Sequence, residues 1–265
     1  MQNKTAVVTG ATSGIGAAYA KRFASQGYDL IITGRRKEKI EALAENIRRE
    51  HHVNVDVVLA ELSEKEGIYK VIEEMQGKQI EVLVNNAGFG ISSLFQDCDL
   101  GSAEQLANVN VIAPMELIHA VLPDMVERKS GTIINISSTS VYMVIARNAV
   151  YSGAKAFLKS FTEGLHLDLM GTGVKVQTVC PSLTRSDFHE KMGIKRSNNQ
   201  KKSFARWMTP EVVVDCSLRD LKKNKVICIP GRQTKVITGM LGMLPKKTYY
   251  KTMYTLSQKL ASNRQ

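Results

Sequence analysis

The chain has 265 residues, of which 43% are hydrophobic and 23% are charged, and its formal net charge is +11. This length suits one α/β domain, and the hydrophobic fraction is enough for a globular core. No apolar run approaches the roughly 20 residues of a membrane span, and the N-terminus lacks the pattern of a secretory signal. These features argue against an integral membrane or exported protein and predict a cytoplasmic one.

The positive charge is concentrated near the C-terminus. Ten basic residues and no acidic residue follow Asp220, and the chain up to that residue has 26 basic and 25 acidic side chains, a net charge of +1. A nearly neutral body does not predict nucleic-acid binding. The four cysteines show neither a CxxC pair nor the His/Cys spacing of a zinc site, which predicts reduced thiols and no metal.

A strand and a helix are predicted at the start of the chain, joined by a glycine-rich turn. Thr5–Thr9 is an apolar, β-branched run that stops at Gly10, and 17–27 has the pattern of a helix. Glycines 10, 14 and 16 would let the backbone approach a pyrophosphate at the helix N-terminus. Their spacing is Gly-x-x-x-Gly-x-Gly, which differs from the general dinucleotide fingerprint, and an ordinary glycine-rich turn is the alternative.

The second predicted strand, 28–33, ends just before Arg35 and Arg36, some 20 residues past the glycine turn. An NAD site tends to place a carboxylate there for the ribose 2′-hydroxyl, whereas arginine suits a 2′-phosphate. We therefore predict NADP(H). The alternative is that both arginines begin the basic surface of the helix predicted over 37–52.

Two further strands are predicted over 53–60 and 80–84, with a helix over 63–77 between them. The fourth strand continues into Asn85-Asn86-Ala87-Gly88. Asparagine side chains hydrogen-bond to the backbone and tolerate turns, so the conservative interpretation is a strand end that stabilises the sheet.

A long helix is predicted over 99–128, with an interruption at Pro114. Asn110 lies just before that proline. A buried asparagine in this position would bend the helix and expose a carbonyl. Asn110 is equally well explained as a plain polar residue of the helix.

The fifth predicted strand, Gly131–Ile136, leads to a run of hydroxyl side chains at 137–140, where doubly wound sheets bind ligands. The helix predicted over 149–170 then carries Tyr151 and Lys155 one turn apart on the same face. A lysine cation beside a tyrosine favours the phenolate and would lower the tyrosine pKa, as a general acid for a carbonyl requires. By itself, Tyr-x-x-x-Lys also occurs on many solvated helices.

The sixth predicted strand, Val174–Val179, ends at Cys180-Pro181-Ser182, and a last strand is predicted over 226–229. The repeated alternation of strand and helix predicts a doubly wound, Rossmann-type parallel sheet in three layers. We predict one catalytic domain over 1–230 and a basic helical extension over 231–265.

The extension contains an amphipathic stripe. Tyr249, Met253, Leu256 and Leu260 share one helix face. A basic amphipathic helix of this kind can lie on an anionic membrane surface. Packing on its own domain or on a neighbouring subunit is the alternative, and we favour it.

Taken in order, these motifs resemble the short-chain dehydrogenase/reductase superfamily over about 4–229. In detail the chain looks most like a broad bacterial group with a basic C-terminal extension. The motifs are Thr9-Gly10-x-x-x-Gly14-x-Gly16, Asn85-Asn86-Ala87-Gly88, Asn110, Ser138 and Tyr151-x-x-x-Lys155.

The resemblance implies four catalytic roles. Tyr151 would give a proton to a carbonyl oxygen, and Lys155 would hold the nicotinamide ribose and lower the tyrosine pKa. Ser138 would hydrogen-bond the substrate oxygen, with neighbouring Ser137 as the alternative. Asn110 would hold a water that links the lysine to solvent.

The resemblance also implies cofactor contacts. The glycine turn would take the pyrophosphate, the arginines the 2′-phosphate, and the ends of the third, fourth and sixth strands the adenine, its ribose and the carboxamide. The residues are Gly10, Thr12, Ser13, Gly14, Ile15, Gly16, Arg35, Arg36, Glu61, Leu62, Asn86, Ala87, Gly88, Tyr151, Lys155, Pro181, Thr184 and Ser186. Three departures from the family pattern are Glu61 for aspartate, Ser182 for glycine and Gly153 for alanine, and the second leaves the carboxamide contacts open.

The segment 183–208 occupies the position of the family's substrate lid and mixes apolar with basic residues. It would form either an apolar pocket with a cationic rim, suited to an acyl thioester, or a mobile solvated loop. The resemblance implies an NADP(H)-dependent oxidoreductase that reduces a ketone, aldehyde or 3-oxoacyl group, acting as a homodimer or homotetramer. A non-catalytic NADPH-binding regulator is the alternative.

Overall fold

A computed structural model describes residues 4–188 and 207–262, without the side chains of the last three. Its seven strands form one parallel sheet. They are β1 (Thr5–Thr9), β2 (Asp29–Gly34), β3 (Val55–Leu59), β4 (Ile80–Asn85), β5 (Gly131–Ile136), β6 (Val174–Val179) and β7 (Ile227–Cys228).

Helices cover the sheet, and short irregular turns join several of them. The α-helices are α1 (Gly14–Ala24), α2 (Lys37–His51), α3 (Lys65–Met75), α4 (Leu100–Ala107), α5 (Ala113–Glu127), α6 (Ala149–Asp168), α7 (Pro210–Leu221), α8 (Arg232–Met243) and α9 (Lys246–Ser262). Two 3₁₀ turns cover Phe95–Asp97 and Thr139–Val141, and a π-helical segment covers Asn108–Ile112.

The strand order is β3-β2-β1-β4-β5-β6-β7, with every neighbouring pair parallel. The chain builds outward from β1 in one direction and then from β4 in the other, so the order reverses between these two strands. A doubly wound sheet binds ligands at such a reversal, outside the carboxyl ends of the strands. The predicted Rossmann-type fold is confirmed, and the motifs that follow β1 and β4 meet at this point.

Alternate residues of the strands enter two separate cores. In β1, Ala6 and Val8 join the core shared with α1, α2 and α7, whereas Val7 joins the core shared with α3, α5 and α6. This follows from the two-residue period of a strand. Because both faces are covered by helices, the strands read as continuous apolar runs rather than alternating ones.

The long predicted helix over 99–128 is divided by the π-helical segment Asn108–Ile112. Pro114 has no N–H for the carbonyl four residues before it, which belongs to Asn110, so the regular bonding pattern fails there. By length and composition alone, Leu100–Glu127 would be able to span a membrane, although no apolar run in the sequence is long enough for a span. In the structure, 44% of its most apolar window is buried inside the molecule. Leu117 and Ile118 of α5 lie in the core beneath the sheet, so this helix serves as a packed helix of the domain.

Several element ends differ from the sequence-based boundaries. The third and last strands are shorter than predicted, covering Val55–Leu59 and only Ile227–Cys228. The C-terminal extension forms two helices, α8 and α9, because Pro245 lies between them.

A buried polar chain links the sheet to α6. Asn85 Nδ2 donates to Asn135 Oδ1 at 2.9 Å, and Asn135 Nδ2 donates to Thr162 Oγ1 at 2.9 Å. All three residues are at most 3% exposed. Buried polar groups require such partners, so this chain fixes the height of α6 above β4 and β5.

The substitution Thr162→Val should lower the free energy of unfolding by about 1–3 kcal/mol, because it keeps the shape but leaves the Asn135 amide without its acceptor. Urea denaturation measures this change. Thr252→Val on the exposed face of α9 is the matched control and should stay within about 0.5 kcal/mol of the wild type. Equal effects at the two positions would contradict a stabilising role for the polar chain.

Candidate active site

The glycine turn after β1 is held against the end of β4. Asn86 Nδ2 donates to the carbonyls of Thr9 and Gly10 at 2.9 and 3.0 Å, and Thr9 Oγ1 accepts from the amides of Asn86 and Ala87. Gly10 has φ +67°, and a Cβ there would lie 2.7 Å from Ala87 Cα; a Cβ on Gly16 would lie 2.5 Å from Asn86 Nδ2. Only glycine fits these positions. Asn86 stabilises the end of its strand, which is the structural role predicted from the sequence for this motif.

The turn presents donors and positive charge to an anion. Helix α1 begins at Gly14 with no acidic residue in its first turn, and in the described part of the chain Ser13 makes no side-chain cap. The Arg36 guanidinium crosses the turn and donates to Thr12 Oγ1 at 2.7 Å and to Ser13 Oγ at 3.0 Å. Uncapped helix amides beside a guanidinium match a phosphate group, so these residues fit a dinucleotide.

The two predicted 2′-phosphate ligands point in different directions. Arg35 donates to Glu61 at 2.9 Å; burial alone would raise the Glu61 pKa, but this bond and others to the carboxylate lower it overall. Arg36 is the arginine at the glycine turn, where it pairs with Asp187, and Lys39 pairs with the same carboxylate at 3.2 Å. The Arg36 hydrogen bond is the main cause of the lowered Asp187 pKa. Lys39 and Asp187 are additions that no sequence motif indicated.

Two other predicted cofactor contacts differ in their surroundings. The side chain of Leu62 lies in the core and is 5% exposed, so it offers little surface to an adenine. Pro181 is buried, and its carbonyl accepts from the Thr139 amide at 3.0 Å, which ties the end of β6 to the turn after β5. Pro181 therefore lies beside the turn that follows Ser138, whereas the Leu62 side chain is used in core packing.

Thr184 and Ser186, both predicted beside the carboxamide, are also separated. Thr184 forms an isolated bridge with Met208, and its hydroxyl donates to the Ser182 carbonyl at 2.9 Å. Ser186 lies against the glycine turn, where a Cβ on Gly14 would be 2.7 Å from Ser186 Cβ. Ser186 therefore belongs with the phosphate-facing residues.

Helix α6 buries the predicted catalytic pair at the carboxyl edge of the sheet. Tyr151 and Lys155 are 7% and 4% exposed, and Lys155 Nζ lies 5.8 Å from the centre of the tyrosine ring. Lys155 Nζ also donates to the Ile136 carbonyl at 2.8 Å. The Ser138 hydroxyl lies close enough to the phenol to lower the Tyr151 pKa, although burial outweighs this effect. Three of the four predicted catalytic residues are thus brought together.

The choice between Ser137 and Ser138 is decided by which side chain is occupied elsewhere. Ser137 Oγ donates to the Lys155 carbonyl at 2.8 Å and is buried, so it anchors α6 to β5. Ser138 caps the following turn by accepting from the Ser140 amide at 3.1 Å and faces Tyr151. Ser138 is therefore the candidate that we retain for the contact with a substrate oxygen.

Asn110, the fourth predicted catalytic residue, sits in the π-helical segment. Its Nδ2 donates to the carbonyls of Leu106 and Phe89 at 2.9 and 3.3 Å. Its Oδ1 is buried and has no hydrogen-bond partner among the described residues. A side chain on Gly88 would lie 2.6 Å from this oxygen and 3.4 Å from Lys155 Nζ. The free acceptor and the lysine therefore flank the same glycine.

The pKa values correct one expectation. Burial raises the pKa of Tyr151 to about 12, against a smaller lowering by Ser138, and burial lowers the pKa of Lys155 to about 8. The predicted lowering of the tyrosine pKa by the lysine is wrong for this structure. The reason is that burial disfavours both charged forms, and the lysine nitrogen bonds a backbone carbonyl rather than the phenol.

Apolar side chains surround the tyrosine. Tyr151 packs with Leu106 and Ala154, and the Phe188 ring lies 5.6 Å from the tyrosine ring between centres. Further partly buried side chains packed against this cluster are Phe89, Ile91, Val111 and Val150. Phe188 belongs to the predicted lid, 183–208, of which residues 189–206 lie outside the described part of the chain.

A family model described as short chain dehydrogenase matches residues 4–197, well over half of the chain. The chain belongs to the short-chain dehydrogenase family. Membership makes this a chain of an oxidoreductase family, and the grouping of Ser138, Tyr151 and Lys155 lies within the matched part.

Known relatives of this short-chain dehydrogenase differ in activity. A very-long-chain 3-oxoacyl-CoA reductase of Anas platyrhynchos is 37% identical over 218 residues, 80% of this chain and 67% of that protein. An inactive hydroxysteroid dehydrogenase-like protein 1 of Homo sapiens is 37% identical over 179 residues, 66% of this chain and 54% of that protein. A solved short-chain dehydrogenase from Sphingobium yanoikuyae in complex with NADPH has a TM-score of 0.80 at 30% identity, covering 91% of this chain and 96% of that one.

The buried lysine should make the stability of this short-chain dehydrogenase depend on pH. Between pH 8 and 10.5 the unfolded chain keeps a proton that folded Lys155 releases, so this residue's contribution to stability rises with pH. At about 1.4 kcal/mol per pKa unit, the rise is at most about 3.5 kcal/mol.

We expect the free energy of unfolding of the wild type, minus that of Lys155→Met, to become more positive from pH 8 to 10.5 in urea titrations. Tyr151 is present in both proteins, so its own titration cancels. Lys159→Met, one turn further along α6, is the control for the substitution itself. A difference that stays constant from pH 8 to 10.5 would contradict the lowered lysine pKa.

Proposed function

We propose that the protein is an NADP(H)-dependent reductase of a carbonyl group, a ketone, aldehyde or 3-oxoacyl compound. One observation carries this proposal: Ser138 and Tyr151 present two hydrogen-bonding hydroxyls together, beside Lys155, at the same sheet edge as the glycine turn. Two fixed donors aimed at one oxygen stabilise the negative charge that develops there during reduction.

The bound dinucleotide would supply the hydride. Ser138 would orient the carbonyl oxygen by hydrogen bonding, and Tyr151 would give that oxygen its proton. A phenol whose pKa is about 12 is protonated at neutral pH, which is the state a proton donor for reduction needs. The buried Asn110 Oδ1, beside Lys155, would accept a hydrogen bond from a water that returns protons to the site.

The preference for NADPH over NADH rests on Arg36 and Lys39. Arg36 contacts the glycine turn, and the carboxylate of Asp187 pairs with both Arg36 and Lys39. A 2′-phosphate would use the same donors and so compete with Asp187. The NADPH bound in the related Sphingobium yanoikuyae protein supports this proposal.

The substrate would be apolar next to its carbonyl group. The side chains packed around Tyr151 are aromatic or aliphatic, including Phe89, Ile91 and Phe188. Such a surface favours an acyl chain or a ring system over a small charged carbonyl. The name of the Anas platyrhynchos relative supports a 3-oxoacyl thioester within this class.

A non-catalytic NADPH-binding regulator is the second candidate, and the inactive human relative favours it. Against it stand four residues that a regulator would not need: Ser138 and Lys155 lie beside the buried Tyr151, and Asn110 flanks the same glycine as Lys155. A regulator would need the dinucleotide site but no proton donor.

Turnover tests the choice. NADPH oxidation should be measured against medium-chain 3-oxoacyl thioesters, steroid ketones, aliphatic aldehydes and small diketones. Tyr151→Phe should lower kcat at least about 100-fold, because it removes the proton donor, with little change in the Kd of NADPH. Tyr142→Phe, at the neighbouring turn, is a control for loss of a phenol. NADPH binding without turnover of any class would favour the regulator.

Arg36→Ala should raise the Kd of NADPH about 10- to 100-fold, because a charged hydrogen-bonding partner of the 2′-phosphate is lost. The Kd of NADH should change less than about threefold. Nucleotide fluorescence titration measures both.

The control for this change is Arg35→Ala, which removes an arginine paired with Glu61 and should have the smaller effect. Asp187→Asn should tighten NADPH binding by removing the competing carboxylate. Equal weakening of NADPH and NADH by Arg36→Ala would contradict a 2′-phosphate contact.

A further inference from the structure

Ser138 and Tyr151 are joined by a connector, residues 139–148, that has little regular structure. It begins with the 3₁₀ turn Thr139–Val141 and ends at Asn148, just before α6. Its first amides bond locally, since Tyr142 and Met143 both donate to the Thr139 carbonyl at 3.0 Å. The conformation of this connector sets where the two hydroxyls stand relative to each other.

The C-terminal helix α9 supplies hydrogen bonds to the middle of the connector. Tyr249 Oη accepts from the Val144 amide and donates to the Tyr142 carbonyl, both at 3.0 Å. Ser257 Oγ accepts from the Ala146 amide at 2.9 Å. Two side chains therefore bind three backbone groups that lie more than 100 positions earlier in the chain.

These contacts use one face of α9. Tyr249, Met253 and Ser257 follow one another at intervals of four residues, and Met253 and Ser257 are 5% and 8% exposed. Tyr250 and Tyr254 lie outside this face and are 63% and 64% exposed, and the Tyr250 ring centre lies 5.5 Å from that of Tyr249. The helix thus has a docked face, on which two hydroxyl side chains bind the connector, and an exposed face that also carries tyrosines.

The C-terminal end of the connector is also held in place, at a residue with a strained backbone. Arg147 has φ +64°, the left-handed region that non-glycine residues seldom adopt, and its carbonyl accepts from the Ser93 amide at 3.0 Å. Strained backbone persists where surrounding contacts hold it. Between this point and the 3₁₀ turn, the α9 side chains are the hydrogen-bond partners that the structure gives to the Val144 and Ala146 amides.

We propose that α9 is a positioning element of the active site, and that Tyr249 and Ser257 hold the connector so that Ser138 and Tyr151 share one substrate oxygen. Neither residue touches the reacting atoms; both act through the backbone of 142–146. This inference rests on the proposed reductase function and extends it to the C-terminal extension.

The test is the double variant Tyr249→Phe, Ser257→Ala, which removes two hydroxyls and keeps the helix. Its kcat/KM for the best carbonyl substrate should fall about tenfold or more, mainly through kcat, because the proton donor and Ser138 lose their alignment. The Kd of NADPH should change less than about twofold, since the hydrogen bonds of Tyr249 and Ser257 go to the connector and, for Ser257, to its own helix rather than to the glycine turn. The melting temperature should stay close to that of the wild type, so that the loss of kcat/KM reflects lost alignment and not unfolding.

The matched control is Tyr250→Phe, Tyr254→Phe, which makes the same chemical change on the exposed face and should leave all these quantities as in the wild type. An unchanged kcat/KM in the double variant would overturn the proposal. Equal losses in kcat/KM and NADPH binding would overturn it too, since they indicate a general loss of structure.

Hydrogen–deuterium exchange separates this inference from the proposed reaction. Peptides that cover 139–148 should exchange faster in Tyr249→Phe, Ser257→Ala than in the wild type or the control. If the wild type reduces no carbonyl but exchange still rises, the proposed function fails and the hold on the connector stands. If exchange is unchanged, the positioning role fails whether or not the enzyme is active.

Discussion

The Asn86 amide joins the two halves of the sheet at the point where the strand order reverses. It donates to the carbonyls of Thr9 and Gly10, so the end of β4 and the turn after β1 form one rigid unit. That contact requires the backbone of Ala87 to approach Gly10 closely, which excludes any side chain at Gly10. The phosphate-facing turn on one side and the Gly88, Asn110 and Lys155 group on the other both depend on this junction.

Burial at the sheet edge sets the protonation of the site. Tyr151 is held as a neutral phenol and Lys155 has a weakened preference for its cation, because both side chains are almost fully buried. The Ile136 carbonyl partly compensates the lysine by accepting a hydrogen bond. The Tyr151 oxygen in such a site therefore carries a proton rather than a negative charge. The proposed reduction uses this state, because its proton donor must carry a proton.

Much of the fold followed from local sequence. Short apolar runs such as Thr5–Thr9, each followed by a helical pattern, predicted a doubly wound sheet, and the Tyr151 to Lys155 spacing placed both residues on one helix face. What local sequence could not give was the direction of side chains over distance. Arg35 and Arg36 are adjacent and chemically identical. The sheet pairs β2 with β3 on one side and with β1 on the other, which brings Glu61 to the first arginine and the glycine turn to the second.

The prediction of a lowered Tyr151 pKa was wrong for a similar reason. Spacing alone places Lys155 beside Tyr151, but burial and the choice of hydrogen-bond partner determine the sign of the shift, and both depend on residues distant in sequence. The same holds for α9, whose amphipathic stripe was predicted without its partner. No pattern within 245–262 indicates that Tyr249 and Ser257 would bind the backbone near residue 145.

The basic extension is also used internally. Asp220, the last acidic residue of the chain, is 3% exposed, and Lys225 and Lys235 pair with it at 3.3 and 3.5 Å. Burial would raise the Asp220 pKa, but the two lysines lower it overall. A buried carboxylate is tolerated only when it is paired, so α8 has a fixed anchor at Lys235. Because α9 follows α8 after only Leu244 and Pro245, that anchor limits where α9 can lie. The charge that looked like a binding surface in the sequence thus helps to bring Tyr249 and Ser257 to the connector.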